Sequence, residues 1–449
     1  MGPPDHGQRR SQGHPRHLVG DWPGLRAFRN PTFRFLAAGL VALGALVVHV
    51  LDVLGALHNW TSTSGATVTA DFNSWMASGK TILAGGSPYL AFGAGSNSAF
   101  VAGAAHQPYP PTFFLLISPW VVAPDALRYL SWLAVEELAL VALVLVVWAG
   151  LGRPTRTEVA LALALVLPFL PVRQNLFEGQ ANILTGALAA FAVLMWQRRR
   201  AAAGGVALAV SIAFKPTIAF TALFLGYRRA WSILGITAAA LGVLVAATLV
   251  AGWGHLWGPF LALLGPLGRG SGFIANQSVN GVLLRAWRPE IAGEPIGALP
   301  TGFVAAWYSA EAVLAIVVLG GLRRLRLPEP ELAWAQFGVV SVLFGLLQPL
   351  SWFHHQAGAV VLVLVVLRMA NRGYLQAPIL GALLGCWALV SLVAYPFHVA
   401  ARPYGGAGLY DQPWLRVGTS SAFLGLLVAT ILVSWAQTRP REAPGVNPS

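Results

Sequence analysis

Phe33–Leu57 reads FRFLAAGLVALGALVVHVLDVLGAL, and this stretch decides the fold class. As a helix its 25 residues would rise about 37 Å, enough to cross the ~30 Å hydrocarbon core of a bilayer. Arg9, Arg10, Arg16, Arg26, Arg29 and Arg34 crowd its start, which predicts that this end faces the cytoplasm. The rest of the chain repeats the pattern. Of 449 residues, 56% are hydrophobic and only 10% charged, against about 25% charged in a soluble chain. The mean hydropathy is +0.65. The predicted class is an all-α polytopic membrane protein.

The net charge of +13 does not point to nucleic acid. Apart from Lys80 and Lys215 the cations are arginines, most sit in short loops between apolar runs, and no basic-aromatic tract accompanies them. Cys386 is the only cysteine, so neither a disulfide nor a thiolate metal site can form within one chain. Residues 1–32 are polar and rich in Pro, Gly, Arg and His, and they read as a disordered cytoplasmic tail before an uncleaved first span.

Later basic clusters fix the parity of the spans. They are Arg153/Arg156, Arg198–Arg200, Arg228/Arg229, Arg323/Arg324/Arg326, Arg368/Arg372 and Arg439/Arg441. Between them lie apolar runs 127–150, 159–172, 180–196, 201–213, 217–226, 231–251, 301–322, 333–350, 356–368, 377–395 and 419–436. With the first run these make about twelve transmembrane helices with both termini inside. The run 111–123 follows Pro110-Pro111, contains Pro119 and is too short to span, so it reads as re-entrant or interfacial. Thirteen spans would place Arg153 and Arg156 outside. The predicted organisation is a tail at 1–32, one transmembrane domain at 33–437 with outer loops 58–126, 252–300 and 396–418, and a cytoplasmic tail at 438–449.

The first outer loop holds an amphipathic pattern from Asp71 to Gly85. Phe72, Trp75, Met76, Ile82 and Leu83 form its apolar side, and Gly85-Gly86 ends it. A helix lying on the membrane is expected there. Asp71, the one carboxylate within 58–110, suits two roles: an N-cap, or a general base at the water boundary. Asp52, one turn after His49 near the outer end of the first span, is the reserve base. Nothing near Asp71 resembles an Asp-x-Asp pair or a His/Glu metal cluster.

Other polar residues fall on the same predicted outer side. Lys215-Pro216 breaks two short runs, and a cation there needs water, an acid or a phosphate. Arg173 and Arg285 are further cations able to clamp phosphate. Ser351-Trp352-Phe353-His354-His355-Gln356 puts two histidines about 100° apart, which suits hydrogen bonding better than joint metal ligation; it is also what an interfacial anchor would look like. Gly179-Gln180-Ala181-Asn182 and Asn276-Gln277-Ser278-Val279-Asn280 offer amides for sugar hydroxyls or for helix caps. Glu136 and Glu137 lie inside an apolar run, with only pairing to a neighbouring helix to account for them.

Taken in order, six motifs resemble those of the GT-C polyprenyl-phosphate-sugar-dependent glycosyltransferases, and most of all glycosyltransferase family 87. They are Asp71 with Gly85-Gly86-Ser87-Pro88-Tyr89; Tyr109-Pro110-Pro111; Gly179-Gln180-Ala181-Asn182; Lys215-Pro216 followed by Arg228-Arg229-Ala230-Trp231; Asn276-Gln277-Ser278; and Ser351-Trp352-Phe353-His354-His355. The resemblance implies a GT-C-like bundle with interfacial helices in the first long outer loop. It implies a polyprenyl-phosphate sugar donor, a glycolipid or lipoglycan acceptor, no cofactor, no metal and no nucleic acid. The reaction implied is inverting transfer on the extracytoplasmic face of a bacterial plasma membrane. Asp71 would be the base. Lys215, His354, His355, Arg173 and Arg285 would meet the donor phosphate, and Tyr89, Tyr109, Gln180, Asn182, Asn276, Asn280 and Trp352 the sugar or acceptor. The histidine pair is similar to the mannosyl branch, so mannose is the first expectation. An arabinofuranosyltransferase is the alternative, and a lipid or solute transporter is the rival class, although no inverted repeat is visible.

Overall fold

The computed structural model describes residues 30–61, 71–89, 109–287, 299–401 and 412–436. Most of the predicted N-terminal tail, all of the C-terminal tail and parts of all three outer loops lie outside the described residues. Those described are overwhelmingly helical, and no strand occurs among them. Helix α1 is Pro31–Thr61, α2 Asp71–Leu83, α3 Pro111–Val122, α4 Asp125–Leu151, α5 Arg156–Val166 and α6 Leu170–Glu178. Next come α7 Asn182–Gln197, α8 Ala201–Phe214, α9 Phe220–Tyr227, α10 Trp231–Val250, α11 Trp257–Leu267 and α12 Val279–Trp287. The last are α13 Thr301–Leu322, α14 Glu331–Leu347, α15 Ala359–Asn371, α16 Ala377–Ala388, α17 Ala394–Ala401, α18 Pro413–Thr419 and α19 Ser421–Ser434.

Six stretches are long and apolar enough to cross a membrane: Pro31–His58, Asp125–Leu151, Trp231–Val250, Thr301–Leu322, Phe353–Asn371 and Ala377–Phe397. The pair α5 and α6 makes a seventh when counted as one span, bent by 58°. Pro168 sits at that bend, where its missing N–H interrupts the helical ladder. The run expected to end at residue 172 therefore continues, redirected, to Glu178. Six further apolar helices are only 10–17 residues long, and the expected total of about twelve spans depends on five of them, since Pro111–Val122 was read as re-entrant or interfacial.

The outer surface is apolar, as lipid requires. Leu36, Leu40, Val41, Leu43, Leu51 and Leu54 of α1 are exposed, while Ala38 and Ala42 pack on Ala160 and Ala164 of α5. Small residues on both sides let the two helices approach closely. The arginine-bearing loops meet at one end of the bundle. Arg368 pairs with Glu158 at 3.3 Å and donates to the Gly152 and Arg153 carbonyls. Trp334 donates to Gln197, Arg228 pairs with Glu329, and the Arg324 guanidinium lies 4.8 Å from the Trp435 ring.

At the opposite end an aromatic cluster seats α2 on α3 and α4. Phe72, Trp75, Met76 and Ile82 are buried there with Phe113, Phe114, Ile117 and Trp132. Phe72 stacks on Trp132 at 5.3 Å, and Trp75 meets Phe113 edge-on at 4.9 Å. Such pairs add about 0.5–1.5 kcal/mol each beyond their burial. The amphipathic helix thus forms where the pattern predicts, but its apolar side is covered by protein, and Leu83 stays exposed. Gly85, at φ +81°, ends it. The 12-residue α3 rises about 18 Å and turns back sharply into α4. Arg128 closes that turn by donating to the carbonyls of Trp120 and Ala123 at 2.8 and 2.7 Å.

Candidate active site

Asp71 opens α2 with its carboxyl group turned towards α7. Its Oδ2 accepts a hydrogen bond from Gln180 Nε2. Gln180 Oε1 accepts from the Tyr109 hydroxyl at 2.9 Å, and the Tyr109 carbonyl accepts from the Tyr89 hydroxyl at 2.6 Å. Burial raises the Asp71 carboxyl above the ordinary aspartate range; the Gln180 hydrogen bond and the Lys215 charge pull it back. Burial also raises the Tyr109 hydroxyl, and Asp71 raises it further.

The backbone before Gln180 explains this approach. Gly179 ends α6 in the left-handed region, at φ +64°, and its carbonyl accepts from Trp132 Nε1 at 2.8 Å. A Cβ there would come within 2.7 Å of Phe72 Cβ. Only glycine lets the α6–α7 turn lie this close to α2.

Lys215 sits in extended backbone between α8 and a 3-10 turn, because Pro216 disfavours helix for the residue before it. Its side chain is buried, with Nζ 2.5 Å from Asn182 Oδ1 and 6.0 Å from the Tyr109 ring centre. Burial pushes the Lys215 ammonium below the ordinary lysine range, and Asp71 opposes that fall. A cavity of about 30 Å³ lies beside it, lined by Lys215, Asn182, Thr217, Ser341, Gln348 and His355, among others. His354 is buried and meets His355 edge-on at 4.7 Å. Neither Gln348 Oε1 nor His354 Nε2 has a hydrogen-bond partner among the described residues.

The structure therefore brings Asp71, Tyr89, Tyr109, Gln180, Asn182, Lys215, His354 and His355 into one region, and it separates the remaining candidates. Asn276 donates to the Ser271 and Pro349 carbonyls and accepts from Ser351 N at 2.8 Å. Asn280 donates to the Arg269 carbonyl. Arg285, buried, donates to the Phe273 and Asn276 carbonyls and to Ser420 Oγ. Trp352 packs edge-on against Phe273. Asn276 and Trp352 tie the loop before α12 to the 349–352 turn that precedes the histidines, while Asn280 and Arg285 brace that loop on itself and on Ser420. Arg173 likewise spends its guanidinium on Asp52, at 2.7 and 2.8 Å, and stacks 4.7 Å from the Tyr395 ring. Asp52, the reserve base, is thereby committed to an ion pair.

No sequence motif marks Asn175. It lies on α6, donates to Glu136 and accepts from Asn182 N and Nδ2, both at 3.1 Å. Its position seven residues before Asn182 carried no motif, so only the turn at Gly179 brings the two amides together. Glu136 and Glu137 now have separate partners, Asn175 and His49.

A half-buried carboxyl group, a buried ammonium and convergent amides gather beside a small cavity at one end of a helical membrane bundle, an arrangement suited to chemistry on a polar group. The family comparison names the class: the model of glycosyltransferase family 87 matches residues 108–349, and the chain belongs to that family. It is a multi-pass membrane glycosyltransferase, a hexosyltransferase, and the transporter reading falls away. A polyprenol-phosphate-mannose-dependent alpha-(1-2)-phosphatidylinositol pentamannoside mannosyltransferase of Mycobacterium tuberculosis (strain CDC 1551 / Oshkosh) is 28% identical over 331 residues, covering 72% of each chain. No solved structure matches.

Proposed function

We propose that this chain transfers mannose from a polyprenyl-phosphate-mannose donor to a glycolipid or lipoglycan acceptor, with inversion at the sugar's anomeric carbon, on the extracytoplasmic face of a bacterial plasma membrane. The observation that carries the reading is the convergence of Asp71 and Lys215 on one turn: half-buried Asp71 accepts from Gln180, and buried Lys215 donates to Asn182 two residues further on. The donor named for the mycobacterial relative supports mannose over arabinose.

In this mechanism Asp71 takes the proton of the acceptor hydroxyl. The acceptor oxygen bonds to the anomeric carbon from one face as the bond to the donor phosphate breaks on the other. The electron pair leaves on the phosphate, whose charge Lys215 and His355 stabilise. One base and one cationic pocket suffice, because the leaving group is already an anion of low basicity. Tyr109, Gln180 and Asn182 hold the two charged groups in register.

The test supplies purified protein in lipid with polyprenyl-phosphate-mannose and a glycolipid acceptor, and compares wild type with Asp71→Asn. Loss of one general base should lower kcat by about 10²–10⁴-fold. Full activity in Asp71→Asn would remove Asp71 from the mechanism, and a wild type active only with polyprenyl-phosphate-arabinose would overturn the mannose assignment.

A further inference from the structure

We propose that Glu136 is a positioning residue for Lys215: through Asn175 and Asn182 it dictates which atom the lysine meets. This rests on the reading of Lys215 as a contact of the donor phosphate. The four side chains come from four places, α4, α6, the start of α7 and the turn after α8, and they form one continuous chain. Glu136 Oε2 accepts from Asn175 Nδ2. Asn175 Oδ1 accepts from Asn182 Nδ2 and N at 3.1 Å, and Asn182 Oδ1 accepts from Lys215 Nζ at 2.5 Å.

The chain has a direction, and the carboxyl group sets it. An asparagine amide has an acceptor end and a donor end of nearly equal size, so partners decide which way it turns. An acceptor oxygen at Glu136 turns the Asn175 NH₂ towards α4. That leaves Asn175 Oδ1 facing α7, where it takes both donors of Asn182. Asn182 is then left with Oδ1 towards the ammonium. Reverse Asn182, and an NH₂ faces the lysine NH₃⁺; reverse Asn175, and its NH₂ faces the Asn182 donors while its oxygen faces the Glu136 oxygen.

Glu136 is otherwise hard to explain. It is only 2% exposed in the interior of a membrane-spanning helix, and its Oε1 has no hydrogen-bond partner among the described residues. An apolar residue would join α4 to α6 without burying a carboxyl group. Glu137, one residue further and about 100° round the helix, is a separate case, since it pairs with His49 of α1 at 3.0 Å.

The experiment measures the donor KM and kcat of Glu136→Leu, Glu136→Gln, Lys215→Met and the double variant Glu136→Leu/Lys215→Met, together with the amount of folded protein. Glu136→Leu removes the acceptor and should raise the donor KM about tenfold with kcat within about threefold. Glu136→Gln, which can still present an oxygen to Asn175, should recover most of that loss. The double variant should be no worse than Lys215→Met alone, because both substitutions break the same chain. Effects that multiply in the double variant would overturn the inference while leaving the phosphate reading intact. So would a Glu136→Leu protein that folds poorly yet keeps a wild-type KM. A Lys215→Met protein with a wild-type donor KM would overturn both.

Discussion

At Asp71 the protein holds a carboxyl group away from bulk water and then partly compensates it. Burial raises its pKa, while Gln180 and Lys215 lower it. The base works only when deprotonated, so activity should fall as the pH drops through this raised pKa. The acid limb of kcat/KM is therefore expected above the ~3.9 of a free aspartate. Gln180→Leu removes a hydrogen bond to the charged form and should move that limb to still higher pH. Lys215→Met removes an opposite charge and should move it the same way. A pH profile of the three proteins checks the sign; a limb that stays put or moves to lower pH would exclude Asp71 as its origin. Asp71, Lys215 and the histidine pair were legible in the sequence, because a charged or polar residue beside apolar runs is conspicuous. The fate of Arg173 was not, since its partner Asp52 lies 121 positions away, in another helix.

Among the elements, close backbone approaches hold the site together. Gly79 on α2 faces Val121 on α3 with no room for a Cβ between them. Gly79→Val should cost about 1–3 kcal/mol through overpacking, lower the melting temperature in detergent, and displace Asp71 with its helix. Gly179→Ala faces both a left-handed backbone, worth about 1–2 kcal/mol, and the Phe72 contact. It should lose activity more than stability, because Gln180 is the next residue; a thermal melt run beside the transfer assay separates the two. Asn276→Ala should cost about 1–3 kcal/mol, as the buried Ser351 N–H would lose its acceptor and the Pro349 carbonyl would keep only the Ser278 hydroxyl. Its effect on transfer is expected through the neighbouring histidines. The bounds of the longest helices were readable from apolar runs and from proline and glycine punctuation, but the continuation past residue 172 to Glu178 was not. The seat of α2 on α3 and α4 was not, because an amphipathic face looks the same whether lipid or protein covers it.

Over the whole molecule, charge sets one end against the other. Loops carrying Arg153, Arg228, Arg324 and Arg368 are tied together at one end, and the Asp71–Lys215 cluster occupies the other. If the arginine end is cytoplasmic, a cysteine at the exposed Lys80 should react with an impermeant reagent applied outside intact cells, and one at the exposed Arg199 should not, in a background where the buried Cys386 is replaced. The opposite labelling would turn the enzyme over in the membrane and move its chemistry to the cytoplasm.

The sequence by itself determined that this chain is a helical membrane protein, where its main apolar runs lie, and which residues could carry chemistry. Those properties follow from local composition: apolar length, arginine flanks, proline breaks and the cost of a polar group among apolar ones. Only the tertiary structure decided which polar residues meet. Asp71 joins Gln180 across 109 positions, and Asn276 reaches Pro349 across 73. The tight turn at Gly179 brings Asn175 back onto Asn182, and with it the chain from Glu136 to Lys215. Hydrogen bonds depend on distances of a few tenths of an ångström, and no spacing along the chain encodes those.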